Sequence, residues 1–372
     1  MKKLSKLILF IIIISSLICL VQKLGILDFC FYKITQEDIS NYSAYYFNQL
    51  NEEEKSIYIK IDKAVQNLKE KVFLGPQEQE NINLKMEKIL TAYFYDNPEE
   101  YYVSNEYAII TRDFKVFDYV ILNLKYITED KYEIEAGKKL LDEAIDNMLK
   151  THIKQGMTGF EKEVAIHDAL VQHVDYYVYK DINSIPAIKH TAYGALIDKE
   201  AVCDGYAKAF KLLLEQCGIT NVIISGKTEN ENHAWNLVEL GGKYYHVDVT
   251  SDKLNDNGKH VIHTYFNLTD KQIQQTHIVD DIFVIPIANE EKYNYYNKTG
   301  NYVSYEDNLY SKLSKIISVQ AKASVLEIKV DKRYYLQSIV DTLYDLDFNN
   351  WRSNKRTNIT YSKMNDVYIF IK

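Results

Sequence analysis

Ala201-Val202-Cys203-Asp204-Gly205-Tyr206-Ala207-Lys208-Ala209-Phe210-Lys211-Leu212-Leu213-Leu214 places a cysteine at the start of an amphipathic helix. Tyr206, Phe210, Leu213, Leu214 and Cys217 recur at the helical period as one apolar stripe, so Cys217 is expected to be core packing. Gly218 follows as a C-terminal stop. Cys203 therefore falls in the first turn, where unpaired backbone N–H groups and the positive end of the helix dipole favour an anion. Gly205 costs helix propensity in that turn and points to a close approach of another backbone. A cysteine so placed can act as a nucleophile if a base reaches it.

The base is sought downstream. Asn221–Gly226 reads as a short buried strand, and the runs His233–Leu240 and Lys243–Thr250 flank Gly241-Gly242, a hairpin signal. With a two-residue turn, Leu240 pairs with Lys243 and Trp235 lies opposite Asp248. His233 then shares a face with Asp248 and is diagonal to it, about 7–8 Å away at the backbone. A slip of one residue would put the two on opposite faces. In the favoured register Asp248 can hold one imidazole nitrogen of His233 and leave the other free.

Trp235 is either part of the packed face or a lid beside the thiol. His246 shares the face of Asp248, so Cys203, His233, His246 and Asp248 form a conceivable metal set. No ligand pair at helical spacing accompanies them and a triad explains them better, so no metal is expected. His167 and His173 lie six apart on one helix and point different ways, as packed or solvated residues. His260, His263 and His277 are expected to be surface or structural.

The surroundings are those of a globular chain. It has 372 residues, 47% hydrophobic and 26% charged, enough for a full core in two or three domains. The net charge of −8, without a basic stripe, argues against nucleic acid as a partner. Cys19, Cys30, Cys203 and Cys217 have no CxxC spacing, which excludes a disulfide framework or zinc ribbon as the organising device. No cofactor motif or nucleotide-binding glycine loop is present.

At the N-terminus, Lys2, Lys3 and Lys6 precede an apolar run from Leu7 to Val21, interrupted only by Ser15 and Ser16. It reads as an uncleaved membrane anchor with an exported body, the alternative being a cleaved secretory signal. The expected divisions are an anchor or signal over 1–24, a mainly helical region with a small sheet over 25–154, a core over 155–300, and a small α+β domain over 301–372. Within them, 28–50 reads as a polar stalk, 52–72 and 78–94 as helices, and 101–127 as strands. Helices are expected again at 133–153 and 160–174, and a strand over Thr264–Leu268. The last section is expected to hold a helix near 305–318, a strand over 324–330, and a helix from Asp331 to Leu346 with Tyr335 on its buried face. A closing hairpin from about 357 completes it.

Three motifs in order, Ala201-Val-Cys203-Asp-Gly-Tyr-Ala, Asn232-His233-Ala-Trp-Asn-Leu-Val and His246-Val-Asp248-Val-Thr, resemble the transglutaminase-like superfamily of papain-type fold. Thr191–Leu196, Tyr265–Asp270 and Ile166-His-Asp-Ala-Leu170 resemble its bacterial secreted or membrane-anchored members. The resemblance implies an α+β fold in which the cysteine-bearing helix packs on an antiparallel sheet. It also implies Cys203 as nucleophile, His233 as base and Asp248 as orienter, acting on peptide or protein amides; the location that the N-terminal run implies points to cell-envelope substrates. The backbone N–H of Cys203 and the Tyr193 side chain are the oxyanion candidates, with Trp235 beside the substrate. Where the family pattern often runs Asp-x-Thr-Trp-Asp, this chain has Asp248-Val-Thr-Ser251-Asp252. Hydrolysis and transamidation share this chemistry and stay open. A non-catalytic surface module that keeps the fold for binding is the alternative function.

Overall fold

A computed structural model describes residue 15 and residues 34–40, 42–75, 81–114, 117–229, 231–253, 260–320, 325–346, 358–362 and 367–371. The proposed anchor, apart from Ser15, lies outside them. No helix among the described residues is long and apolar enough to cross a membrane. The chain divides between Glu129 and Asp130 into two compact units.

The first unit has α1 (Gln36–Ser40), α2 (Glu52–Gln66), β1 (Lys71–Gly75), α3 (Ile82–Asp96), β2 (Val103–Phe114) and β3 (Phe117–Tyr126), with sheet order β1-β3-β2. A capping box between Asn51 and Glu54 starts α2. The helix ends six residues earlier than its apolar periodicity predicts. Leu68 takes a left-handed backbone conformation (φ 52°), and Val72 and Leu74 alternate inward on β1 against β3. Val72 fits both periods, and pairing with β3 decides for the strand. The expected stalk is also revised. Tyr46, Phe47 and Leu50 are buried, and Asp96 accepts hydrogen bonds from the backbone N–H groups of Tyr46 (3.1 Å) and Phe47 (2.8 Å).

The second unit begins with α4 (Lys131–His152) and α5 (Gly159–His173), followed by β4 (Asp175–Tyr176), α6 (Ala192–Leu196), β5 (Glu200–Ala201), α7 (Cys203–Gln216), β6 (Asn221–Lys227), β7 (Asn232–Leu240) and β8 (Lys243–Val247). Next come α8 (Asp270–Ile273), β9 (Ile278–Val279), α9 (Tyr295–Thr299), β10 (Tyr302–Val303), α10 (Leu309–Val319), β11 (Val325–Val330), α11 (Leu336–Asp345), β12 (Asn358–Ser362) and β13 (Val367–Ile371). Helix α7 lays its apolar stripe on one face of the sheet β8-β7-β6-β9. Phe210, Leu213 and Leu214 share a core there with Val238, Leu240, Tyr245 and Val247, and Cys217 packs at its margin.

The hairpin follows the register read from its turn. Leu240 pairs with Lys243, Leu237 with His246 and Asn236 with Val247. Gly241 and Gly242 both have positive φ (61° and 76°), as a type I′ turn requires. The opposite face, with His233, Trp235, Leu237, His246 and Asp248, is buried as well. Thr264–Leu268 is not a strand. Only Leu268 bridges to His246, and Phe266 turns back to bond with His263.

The C-terminal part of this unit forms a second sheet, β10-β11-β13-β12, over its own apolar cluster of Leu313, Ile316, Leu326, Ile328, Ile339 and Leu343. Tyr335 precedes α11 and is exposed, contrary to its expected core position. This sheet is joined to the rest through Glu327. The Glu327 carboxylate receives the backbone N–H of His263 (2.8 Å) and the hydroxyl of Tyr296 (2.7 Å), and faces His263 Nδ1 at 2.8 Å. His263 Nε2 and His167 Nδ1 both face Asp168 Oδ1, at 2.9 and 3.0 Å. His167 and His263 are thus buried structural residues held by carboxylates, as packing rather than solvation would have it.

Candidate active site

The site forms where the N-terminus of α7 meets the start of β7. Val202, the residue capping α7, provides no side-chain acceptor to the first-turn amides. Cys203 is a half-buried free thiol. Gly205 explains how tightly this turn is seated. A Cβ there would lie 2.6 Å from the carbonyl oxygen of Lys189 and 3.1 Å from that of Thr191. Beside it, Asp204 faces His190 Nδ1 (2.9 Å) and Lys208 (3.6 Å), and Lys208 donates to the His190 carbonyl (2.7 Å). Burial opposes ionisation of Asp204, and the charges of Lys208 and His190 outweigh it and hold the carboxyl below its usual range.

His233 is buried at the edge of β7, and its Nε2 lies 2.8 Å from Asp248 Oδ2. The diagonal relation in the hairpin is thus closed by a direct contact. Burial alone would lower the imidazole's affinity for a proton. The Asp248 charge and hydrogen bond, with a smaller contribution from Cys203, push it up to about 11. With Nε2 facing Asp248, Nδ1 is the ring nitrogen outside that contact. Asp248 has no exposed surface and is itself densely held. Its Oδ1 accepts the backbone N–H groups of Thr250 (3.1 Å) and Ser251 (3.3 Å). Its Oδ2 accepts from His233, from the Ser251 hydroxyl (2.5 Å) and from His277 Nε2 (3.1 Å). Burial works against its charge, but these donors, His233 foremost, keep the carboxyl far below the ordinary range.

Trp235 has 0% exposure, which leaves it no face for a substrate and removes the lid reading. Its ring lies near-parallel to His233 (centroids 6.0 Å) and edge-on to His277 (4.9 Å), and its Nε1–H donates to His246 Nδ1 at 3.0 Å. His246 Nε2 faces Asp270 Oδ1 at 2.9 Å. With both nitrogens engaged this way, His246 drops out of the four-residue metal set. Burial, its largest influence, pushes its imidazole down. Tyr193 sits half-buried on α6, the short helix that Thr191 caps through the Gly194 N–H (3.0 Å).

His277 is the residue at this site that sequence reasoning left among the surface or structural histidines. The strand β9 delivers it. Ile278 and Val279 pair with Lys227 and Gly226, and Gly226 in turn pairs with His233, so the end of β9 brings His277 beside His233. Only the short Ile278-Val279 run hinted at this, and its partner lies some 50 residues earlier. Two groups among the described residues bring three potential metal-ligating atoms within 4.8 Å of one another: His233, Asp248 and His277, and His167, Asp168 and His263. In both, the hydrogen bonds above already account for the convergence.

Residues 147–249 match the family model of the Transglutaminase-like superfamily. A search of curated proteins gives no match. Similar solved structures include a TGase (15% identity, TM-score 0.28), which aligns over 50% of this chain and 51% of that one. A candidate cysteine protease from Cytophaga hutchinsonii aligns at 13% identity and TM-score 0.25, over 40% of this chain and 63% of that one. A candidate protease from Parabacteroides distasonis aligns at 11% identity and TM-score 0.23, over 39% and 36%.

Proposed function

From a transglutaminase-like domain at residues 147–249, we propose that this protein is a thiol-dependent acyl-transfer enzyme acting on peptide or protein amides through Cys203, His233 and Asp248. The observation that carries the reading is the 2.8 Å contact of His233 Nε2 with Asp248 Oδ2, and Cys203 is among the groups that raise the proton affinity of the same imidazole.

The chemistry follows from that order of groups. His233 Nδ1 takes the thiol proton and Cys203 Sγ adds to the amide carbonyl carbon. The resulting oxyanion lies near the α7 N-terminus, where the Cys203 N–H is its donor. The imidazolium then protonates the leaving amine as the C–N bond breaks, which leaves a thioester on Cys203. Water or a second amine, deprotonated by His233, resolves the thioester to an acid or a new amide. Asp248 holds the tautomer and stabilises the imidazolium throughout. The basic and apolar residues 2–21 support action outside a membrane, where envelope peptides are the substrate class.

The test compares iodoacetamide labelling of Cys203 with that of Cys217 in the same folded chain, for the wild type and for His233→Ala. Cys217 is a built-in reference, since burial raises its thiol. Cys203 is expected to label faster, and the advantage to vanish in His233→Ala. Equal rates in the wild type would remove the nucleophile. Mass spectrometry of peptides incubated with the active protein distinguishes new termini from new isopeptide links.

A further inference from the structure

The role proposed for Cys203, His233 and Asp248 leaves unused a buried histidine in contact with Asp248, and its placement is specific. His277 is 2% exposed and is surrounded by His233 (ring centroids 5.3 Å), Trp235 (4.9 Å) and Tyr265 (5.4 Å). Its two nitrogens have distinct partners. Nδ1 lies 2.8 Å from the Thr276 hydroxyl, and Nε2 lies 3.1 Å from Asp248 Oδ2. An ionised carboxylate only accepts, so Nε2 carries the hydrogen, and the Thr276 hydroxyl can supply the donor that Nδ1 requires.

Asp248 Oδ2 is therefore shared by two imidazole N–H groups and one hydroxyl. The backbone donors hold only Oδ1. A carboxylate pinned at one oxygen can still swing the other, and Oδ2 is the one that must meet His233. We propose that His277 is a positioning residue of this site, donating its Nε2–H to Asp248 Oδ2 and thereby fixing that oxygen against His233. It acts through Asp248 and touches neither substrate nor thiol. The charged and titratable groups around it are His233, Asp248, His246 and Tyr265, all buried with it.

This inference rests on the acyl-transfer reading, and one experiment separates the two. The rate constant for iodoacetamide alkylation of Cys203 is measured against pH in the full chain, by peptide mass mapping, for the wild type, His277→Ala and His277→Gln. Cys217 is followed in every sample. Losing one hydrogen bond to a charged group corresponds to about a tenfold effect. His277→Ala is expected to lower the Cys203 plateau by about tenfold and to change the shape of its pH profile, with Cys217 unaffected. Glutamine places an N–H donor near the position of Nε2, so His277→Gln is expected to recover most of the loss.

An alanine variant with the wild-type rate and profile overturns the proposal. So does a glutamine variant that falls as far as alanine, or Cys217 labelling that accelerates in step, since His277 would then be supporting the fold alone. If wild-type Cys203 labels no faster than Cys217, the acyl-transfer reading fails before any His277 variant is compared, and this proposal fails with it.

Discussion

Replacing Asp248 by Asn removes one charge while keeping the shape, and the hydrogen-bond inventory sets what must follow. Five donors converge on the carboxylate: Thr250 N–H and Ser251 N–H on Oδ1, and His233 Nε2, His277 Nε2 and the Ser251 hydroxyl on Oδ2. An amide offers one oxygen and one NH2. With the NH2 on the Oδ1 side, two backbone N–H groups lose their acceptor and cannot adapt. Each buried unsatisfied donor costs about 1–3 kcal/mol, so this orientation costs about 2–6 kcal/mol. With the NH2 on the Oδ2 side, both histidines must present a lone pair instead of an N–H. His277 can do so by shifting its proton toward Thr276. His233 can do so only by placing its proton on Nδ1, toward Cys203, and then it cannot accept the thiol proton. The second orientation costs less folding energy, so we expect Asp248→Asn to stay folded and to lose reactivity. Denaturant unfolding should show a change below about 2 kcal/mol. Cys203 alkylation at neutral pH should fall by roughly tenfold or more. A variant that keeps wild-type alkylation would refute the role of Asp248, and a stability loss well above about 2 kcal/mol would refute the preferred amide orientation.

Two further substitutions probe the scaffold. Gly205→Ala should gain up to about 1 kcal/mol of helix propensity, yet its Cβ would sit 2.6 Å from the Lys189 carbonyl oxygen; a net loss of about 1–3 kcal/mol is expected in denaturant unfolding, and a stabilised variant would contradict the close approach. Glu163 on α5 is fully buried and accepts from the Asn267 side chain (2.8 Å), and burial raises its carboxyl to about 8. The unfolded chain ionises near the ordinary carboxylate value, so the stability linked to this proton is complete below that value and is lost as pH rises through about 8. Glu163→Gln does not titrate and should therefore gain on the wild type between about pH 4.5 and 8, by at most about 5 kcal/mol. Parallel stability–pH curves for the two proteins would refute that burial effect.

Much of the arrangement around Cys203 was legible from local rules. The apolar stripe from Tyr206 to Cys217 could only be helical, and Gly218 stopped it. Gly241 and Gly242 admit a turn with two positive φ angles, and that turn sets the register on which His233 and Asp248 share a face. These are short-range consequences of backbone sterics and side-chain period, and the sequence by itself determined them. Gly205 belongs with them, as a residue whose local cost announced a packing reason.

The tertiary structure alone decided the rest, because each case turns on partners distant in sequence. Val72 satisfies the helical and the strand period alike, and only pairing of Lys71–Phe73 with Ile121–Asn123 settles it. Tyr46 and Phe47 read as a polar tether until Asp96, some 50 residues later, receives their amides. Trp235 was equally at home as lid or core, and the histidines packed against it bury it completely. His277 reaches Asp248 because two residues of β9 add to the edge of β6. His263 meets Glu327 because β11 comes back to the core. A residue's period is written in its neighbours, whereas its hydrogen-bond partner across a fold is not, and this site depends on both.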